Sequence, residues 1–255
     1  MPRFWLPFPL AHIVVFVAMC VLSIPIYVVS PFDRRKVVVD AIARVWMRLI
    51  LFVTGIRVPP ELTDDVPGDG PYIFMANHQS HMDVVLLLAT LPRSPKFVAK
   101  RELLWVPVFG LTMLALGHIT IDRRNRERAI RSLDEAGRKI REGVNVLVFP
   151  EGTRTLGDPD YVGPFKKGGF MLALKAGVPI VPIGIAGTAD RMKKAEFRVK
   201  PGVVCYRIGE PIPTAGLTEA DRDALMEQVR AAIAELKLRA WNDLKAWEQQ
   251  HGVNT

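Results

Sequence analysis

From residue 72 onward, short apolar runs alternate with longer segments that have helical spacing. The runs of strand length are Tyr72–Ala76, Lys96–Ala99, His118–Ile121, Val144–Phe149, Ile180–Ile185 and Val203–Ile208. The segments that predict helices are Val84–Thr90, Leu103–Leu116, Arg126–Glu142 and Gly168–Ala176, followed by one or two helices in Leu217–Gln249. Strands that alternate with helices predict an α/β fold with a mixed, largely parallel sheet flanked by helices.

Two prolines fall in the apolar run around Ile180–Ile185. Pro179 precedes the run and Pro182 lies inside it. Because proline has no N–H to donate to a sheet ladder, we expect this strand at an edge of the sheet or at a bulge.

The segment Leu10–Val29 carries no formal charge and is long enough to cross a bilayer. It exceeds the ~7–15 residues of a signal-peptide core and no small-x-small cleavage site follows, so a cleaved signal is disfavoured. Three basic residues at 34–36 come directly after it, which predicts that the following chain is cytoplasmic. Pro25 would kink a helix, so both a membrane span and a shallow re-entrant anchor stay open.

The next apolar segment, Val37–Val58, is interrupted by charges. Arg44 and Arg48 are four residues apart and share a helical face, while Trp46 belongs to an apolar face. This pattern predicts either an interfacial helix with Trp46 at the bilayer boundary or a buried helix of the following domain. Because prolines 59 and 60 end the segment, we assign residues 1–60 to a membrane-anchoring helical segment and 61–255 to the α/β domain.

Composition narrows the class of partner. The chain has 255 residues, of which 49% are hydrophobic and 24% charged, so a sizeable core is expected. The net charge of +8 favours a polyanionic partner. Residues 93–141 hold most of this excess, which predicts a solvated face, an anionic lipid surface or an acidic partner protein. No nucleic-acid-binding motif is present, so nucleic acid is not expected. Cys20 and Cys205 predict neither a disulfide nor a metal site.

A polar heptad, Asn77-His78-Gln79-Ser80-His81-Met82-Asp83, lies at a predicted strand-to-helix junction, where open α/β sheets place their sites. The carboxylate of Asp83 can fold back onto one imidazole nitrogen of His78 and leave the other as a base. No G-x-S-x-G elbow supplies a nucleophile, so we expect the substrate to bring its own hydroxyl. His78, His81 and Asp83 could share an ion, but zinc-site patterns are missing and no metal is expected. His81 is interpreted as solvent-facing or substrate-lining.

Cations follow other predicted strands. Arg154 ends the block Phe149-Pro150-Glu151-Gly152-Thr153-Arg154 and suits bidentate capture of a phosphate or carboxylate. The alternative is an ion pair with Glu151 that only shapes the loop. Lys100 and Arg123 also follow strands, so three cations could converge on one anion.

These blocks together resemble the glycerolipid acyltransferases. His78 to Asp83 fits their H-x4-D motif, and Phe149 to Arg154 fits F-P-E-G-T-R. Gly117–Arg123 and Val178–Ile185 resemble two further blocks in family order. The likeness covers roughly residues 70 to 210. It is strongest to the 1-acyl-sn-glycerol-3-phosphate (lysophosphatidate) acyltransferase branch, whose members usually carry an N-terminal membrane anchor.

The resemblance implies a reaction and roles. His78 would take the proton of the glycerol sn-2 hydroxyl. Asp83 would orient His78 and favour its charged form, and Arg154 would bind the lysophosphatidate phosphate. The other substrate-binding residues that it implies are Lys100, Glu151, Gly152, Thr153 and Arg123, with Gly117 beside Arg123 and Val178–Ile185 on the acyl-donor side. Lys166 matches a family element without an assigned role.

The donor implied is an acyl thioester, acyl-CoA or acyl-carrier protein, with no further cofactor. The product is phosphatidic acid for phospholipid biosynthesis. We expect a location at the cell inner membrane, or another membrane, with the catalytic domain on the cytoplasmic face. Two alternatives stay open: acyl transfer to another lysophospholipid or lipid acceptor, and a membrane-surface binding module without catalysis.

Overall fold

A computed structural model describes residues 6–92, 94–121, 126–155, 158–193 and 196–252. The helices within these ranges are α1 (Leu10–Val29), α2 (Val37–Val53), α3 (Met82–Thr90), α4 (Phe109–Ala115), α5 (Arg126–Arg141), α6 (Lys167–Ala176), α7 (Thr188–Arg191) and α8 (Arg222–Gln250). The strands are β1 (Ile56–Arg57), β2 (Ile73–Ala76), β3 (Lys96–Lys100), β4 (Ile119–Ile121), β5 (Val146–Val148), β6 (Ile180–Ala186), β7 (Gly202–Val203) and β8 (Cys205–Ile208).

The described strands form one six-stranded sheet in the order β4-β3-β5-β2-β6-β8 and a small parallel pair, β1 with β7. Neighbours in the large sheet are parallel except for the antiparallel pair β6 and β8. The predicted mixed, largely parallel α/β fold is confirmed. Strands β2, β5 and β6 are buried at every position, as expected for parallel strands covered on both faces.

Alternation along β2 divides the core between the two faces of the sheet. Phe74 and Ala76 pack in a cluster with α2 and α3. Ile73 and Met75 pack on the other face, with α5, α6 and α8. The polar turn that follows β2 therefore emerges between two layers of helices, at the carboxyl edge of the sheet.

Strand β6 lies inside the sheet, so the edge position expected from its prolines is wrong and the bulge is observed. Residues Ile180 and Ile183 are bridged to Ile212 and Ile208. Two residues separate the bridges on β6 and three separate them on its partner. The carbonyl of Pro182 accepts the Gly209 N–H at 2.9 Å. Because the partner strand has one extra residue opposite Pro182, none of its carbonyls needs the N–H that proline lacks. An interior strand therefore tolerates this proline.

The single helix predicted over Leu103–Leu116 is also wrong. The chain forms a short 3-10 helix at Arg101–Trp105 and resumes as α4 at Phe109. Pro107 separates them, because a proline cannot continue a helical hydrogen-bond ladder and keeps the preceding residue extended. Val106 has the expected extended backbone, and Val108 lies at a positive φ of 63°.

Helix α2 packs against α3, which decides between its two interpretations. Arg44 donates to the carbonyls of Leu91 and Pro92, the latter at 3.0 Å. Arg48 donates to the Ala89 carbonyl at 3.2 Å. Both cations therefore complement the negative end of α3. Trp46 is only 8% exposed and belongs to the core, so its expected place at the bilayer boundary is wrong.

The N-terminal segment forms one helix, α1, that continues through Pro25. It is long and apolar enough to cross a membrane. Three of its twenty residues are buried inside the protein: Ala11, Ser23 and Ile26. The division of the chain at residue 60 stays a prediction.

Candidate active site

The polar turn after β2 folds around the carboxylate of Asp83. This side chain is fully buried, and one oxygen, Oδ2, accepts the backbone N–H groups of Gln79 and Ser80 at 2.7 and 2.8 Å. The same oxygen lies 2.9 Å from Nδ1 of His78. This is the fold-back geometry that the five-residue spacing predicts.

The imidazole of His78 is held on its ring face as well as at Nδ1. It stacks on Phe149 with ring centroids 4.2 Å apart and an interplanar angle of 24°, and its side chain is 16% exposed. A proton kept on Nδ1 by the carboxylate leaves Nε2 with a lone pair, as a base requires. The turn thus presents one oriented imidazole nitrogen on a side chain that is partly exposed.

Residues of the Phe149–Arg154 block and just after it hold the backbone of His78. Glu151 Oε1 accepts the His78 N–H at 2.8 Å, and Oε2 accepts the Gly163 N–H at 3.0 Å. The His78 carbonyl accepts the Thr155 N–H at 2.9 Å. Glu151 is buried and forms no ion pair with Arg154 among the described residues. Its carboxylate therefore joins two loops at the histidine.

Replacing Glu151 by glutamine tests this bridge. A glutamine has one acceptor oxygen, so its amide nitrogen would face a backbone N–H donor and one buried N–H would lose its partner. We expect the free energy of unfolding to fall by about 1–3 kcal/mol. Chemical denaturation measures it, with Glu227→Gln on the exposed face of α8 as the control. Equal stabilities of the two variants would contradict the bridging role.

Asn77 ties the turn to the neighbouring strand β6. Its position in the motif did not predict this contact. Its amide donates to the Ile185 carbonyl at 3.0 Å and accepts the Ile185 N–H at 2.7 Å. Ser80 Oγ donates to the carbonyl of Met192 at 2.9 Å. Both side chains are buried. The turn is therefore tied to β6 and to the segment after α7.

Arg154 is half-buried and makes no hydrogen bond or ion pair within the described part of the chain. Partial burial lowers the pKa of His81, and the positive charge of Arg154 lowers it further. Arg154 is thus close enough to the heptad to act on its electrostatics. A guanidinium beside a polar turn that no described residue pairs with is available for an anion.

Gly152 and Lys166 approach each other closely. Gly152 has a φ of +64°, and a Cβ there would lie 2.8 Å from Lys166 Cδ and 3.1 Å from Nζ. The positive φ favours glycine, and a larger residue would also have to displace the end of the lysine side chain. The structure thus gives Lys166 the place that its sequence match left open: its ammonium lies on the Gly152 turn, two residues before Arg154. Thr153, between them, is exposed.

The remaining predicted positions do not share one edge of the sheet. Lys100 is exposed at the carboxyl end of β3, the edge that carries the turn, whereas Gly117, with a φ of +77°, precedes the parallel strand β4 and so lies at the opposite, amino edge. Residues 178–185 enter and form most of β6. Arg123 lies outside the described residues, so the expected convergence of three cations stays a prediction.

An apolar cavity of about 270 Å³ opens beside the turn, between α2, α3 and α4. His81 lines it and is otherwise exposed, which agrees with its interpretation as solvent-facing and leaves the substrate-lining role a prediction. The apolar walls include Trp46, Met47, Val84, Leu88, Phe109 and Met113. A cavity of this composition accommodates hydrocarbon. No three His, Cys, Asp or Glu side chains in the described ranges come together as metal ligands would.

Comparisons with known proteins place these features in a family. An acyltransferase family model matches residues 57–186. The human 1-acyl-sn-glycerol-3-phosphate acyltransferase alpha is 38% identical over 216 residues, which are 84% of this chain and 75% of the relative. The sheep protein of that name is 37% identical over 84% of this chain and 74% of its own. The crystal structure of the 1-acyl-sn-glycerophosphate (LPA) acyltransferase PlsC from Thermotoga maritima superposes with a TM-score of 0.59. That structure is 27% identical, and the match covers 91% of this chain and 98% of that one.

Proposed function

Since the chain belongs to the 1-acyl-sn-glycerol-3-phosphate acyltransferase family, we propose that it transfers a fatty acyl group from an acyl thioester to the sn-2 hydroxyl of 1-acyl-glycerol-3-phosphate, which yields phosphatidic acid. The observation that carries this proposal is the His78–Asp83 pair, which lies beside an apolar cavity and near Arg154, a guanidinium that pairs with none of the described residues.

In the proposed mechanism the acceptor hydroxyl is the nucleophile. Nε2 of His78 takes its proton while the oxygen attacks the thioester carbonyl carbon, and Asp83 stabilises the imidazolium that forms. The tetrahedral intermediate expels the thiolate, and His78 returns the proton to that sulfur. The products are the ester and a free thiol. General-base catalysis contributes about 10²–10⁴-fold, so positioning of the two substrates supplies much of the remaining acceleration.

The two parts of a lysolipid fit two features of the site. The phosphate is proposed to bind Arg154, with Lys166 as a second cation on the same turn and Lys100 as a further helper. A fatty chain is proposed to occupy the apolar cavity lined by His81. The glycerol hydroxyl would then lie between the cations and the cavity, next to His78.

Replacing Arg154 by lysine or alanine tests the phosphate contact. A lysine keeps the charge but loses the bidentate fork. We expect KM for lysophosphatidate to rise about tenfold in Arg154→Lys and about a hundredfold in Arg154→Ala, with kcat nearly unchanged. Steady-state kinetics with reconstituted enzyme measure both constants, and Arg230→Lys on α8 is the matched control. An unchanged KM in a folded Arg154→Ala enzyme would remove Arg154 from the phosphate site.

The same assay addresses the alternative acceptors and the donor. Lysophosphatidylethanolamine has a capped phosphate, so faster turnover of that lipid would favour the other-lysophospholipid alternative. Comparison of acyl-CoA with acyl-carrier protein identifies the donor, for which the basic residues of 93–141 favour the acidic carrier. Thioester consumption that depends on the lysolipid would eliminate a purely lipid-binding role.

The apolar helix α1 and the family support association with a membrane. We further propose that the α/β domain is on the cytoplasmic face, since the basic residues at 34–36 follow α1 directly. Protease digestion of right-side-out and inverted vesicles tests this orientation. Cleavage of the α/β domain only in right-side-out vesicles would reverse it.

A further inference from the structure

The segment that follows β3 exposes large apolar side chains that the described parts of the chain leave uncovered. Trp105 is 85% exposed, and Val106, Leu111 and Leu114 are each about half exposed. Single exposed apolar residues are ordinary on protein surfaces, but four within ten residues of one segment require an explanation. We name these four side chains the Trp105 patch.

Hydrogen bonds fix this segment against α1. Tyr27 Oη donates to the Val108 carbonyl at 2.9 Å and lies 2.9 Å from Thr112 Oγ1. Ser30 Oγ donates to the Ala115 carbonyl at 2.7 Å. Because the contacts advance together along both helices, α1 and α4 run side by side in the same direction.

The exposed faces of the two helices are on the same side of this contact. At about 100° per residue, the exposed face of α1 lies about a quarter turn after the face that holds Tyr27. On α4, Leu111 and Leu114 lie about a quarter turn before the face that contacts α1. In two parallel helices, a quarter turn after the contact on one and a quarter turn before it on the other point to the same side. The exposed face of α1 and the exposed face of α4 are therefore on the same side of the pair. The exposed large apolar residues of α1 are Leu10, Ile13, Phe16, Val17, Val21, Ile24 and Val28.

We propose that the Trp105 patch enters the hydrocarbon of the bilayer beside the C-terminal end of α1. The patch faces the same side as α1, an apolar helix that the protein leaves largely uncovered. We therefore expect lipid, which would surround α1, to cover the patch as well. Tryptophan is favoured at the membrane boundary, and Lys100 and Arg101 precede it where headgroups would lie. The domain is thereby held to the membrane at two separate points of the chain.

Nitroxide labels on the enzyme in vesicles of phosphatidylethanolamine with phosphatidylglycerol test the insertion. Burial raises the pKa of Cys205 to about 12, so this thiol stays unlabelled and only Cys20 is replaced by serine. The label is placed in Leu111→Cys and, as the control, in Leu238→Cys on the exposed face of α8. We expect oxygen to collide with the label at position 111 more often than a water-soluble nickel chelate does, and the reverse at 238.

Two results would overturn this proposal. Equal access of the nickel chelate to positions 111 and 238 would place the patch in water. Spin–spin broadening between labels at 111 would show that a second copy of the chain covers it. Neither reading depends on catalysis, so the proposed function is tested separately.

A second, independent observation concerns Lys237 on α8. This lysine is 2% exposed, and its Nζ donates to the carbonyls of Asp158 and Tyr161, the latter at 2.6 Å. Helix α8 reaches this position because β6 has a glycine beneath it: a Cβ on Gly184 would lie 2.1 Å from the Lys237 backbone nitrogen. A buried ammonium in this place therefore ties α8 to the loop 158–163.

The loop that Lys237 holds ends at the carboxylate that supports the histidine. Gly163, two residues after Tyr161, donates its N–H to Glu151, whose other oxygen accepts the His78 N–H. Burial lowers the pKa of Lys237, and the negative charge of Glu151 is the first influence that opposes it. The lysine is thus close to the same carboxylate in space.

We infer that Lys237 is a positioning residue for His78, which acts through the loop 158–163 and Glu151. This inference rests on the proposed function, in which His78 is the base. Its loss should disturb the alignment of the imidazole more than the binding of either substrate, since Lys237 contacts only protein carbonyls in the described structure.

Lys237→Met removes the ammonium and keeps the length of the side chain. We expect kcat to fall about 10- to 100-fold with KM for lysophosphatidate nearly unchanged, and faster amide hydrogen exchange at residues 158–163 and at His78. Arg207→Met is the control: it removes another buried cation, one that pairs with Asp64 and with Asp243 of α8. It should lower Tm but leave kcat and the exchange of 158–163 unaltered.

Unchanged exchange in a folded Lys237→Met protein would overturn the inference, and so would an unchanged kcat. A wild-type protein without acyl transfer would instead overturn the proposed function, while the exchange measurement would still decide whether Lys237 orders the loop.

Discussion

Replacing His78 by alanine is expected to lower kcat for acyl transfer to lysophosphatidate about 10²- to 10⁴-fold. In the proposed mechanism the base is Nε2 of His78, which keeps its lone pair because Asp83 holds the proton on Nδ1. Without the imidazole, the acceptor hydroxyl must lose its proton to water. Among the described residues the side chain makes one hydrogen bond, to Asp83, and the backbone bonds of His78 to Glu151 and Thr155 do not depend on the ring. The variant should therefore fold. Initial rates with wild type and variant in the same vesicles measure the loss.

The chain offers a matched histidine for comparison. His251, at the end of α8, also stacks on an aromatic ring, with its centroid 4.0 Å from that of Trp247. His251→Ala removes a similar stacking contact far along the chain from the heptad and should retain kcat. A folded His78→Ala enzyme with near-normal turnover would refute the general-base mechanism.

Replacing Asp83 by asparagine should lower kcat about a hundredfold or more while the protein stays folded. In the wild type Oδ2 alone accepts both backbone N–H groups and faces Nδ1 of His78, and Oδ1 has no hydrogen-bond partner in the described structure. An asparagine oxygen can occupy the Oδ2 position and keep these three contacts. What is lost is the negative charge that stabilises the imidazolium.

Asp83→Ala provides the contrast, because it removes the charge and the acceptor together. Two buried N–H groups would then lack a partner, at about 1–3 kcal/mol each. We expect a Tm well below that of Asp83→Asn, together with a similar or lower kcat. If the asparagine variant kept wild-type kcat, the carboxylate would serve only to shape the turn.

Local pattern predicted much of this fold. Apolar runs such as Val144–Phe149, alternating with helical segments, predicted the strands of a largely parallel sheet. The structure shows why these runs are continuous, because a parallel sheet covered on both faces hides every side chain. The main errors have local causes of their own. Pro182 was expected at an edge or at a bulge, and the edge is wrong: an extra residue on the partner strand forms the bulge that lets it lie inside the sheet. Pro107 divides a segment whose spacing predicted one helix.

The electrostatic partners of α2 show where pattern reasoning ends. Arg44 and Arg48 were correctly placed on one helical face, but both interpretations of that face suited the sequence equally. The carbonyls that they bind belong to the end of α3, more than forty residues away. Periodicity identifies the face of a helix and contains no information about which element covers it.

The sequence by itself determined the turn from Asn77 to Asp83 and the pairing within it. His78 and Asp83 are five residues apart across a strand-to-helix junction, so the geometry of that short piece of chain is enough to bring them together. The tertiary structure decided what holds the turn in place. Glu151 and Asn77 make their bonds across 73 and 108 residues, and Lys237 reaches Tyr161 from 76 residues away. Such bonds depend on the order of strands in the sheet and on where α8 crosses it. Those arrangements follow from the packing of the whole core, so no local pattern records them.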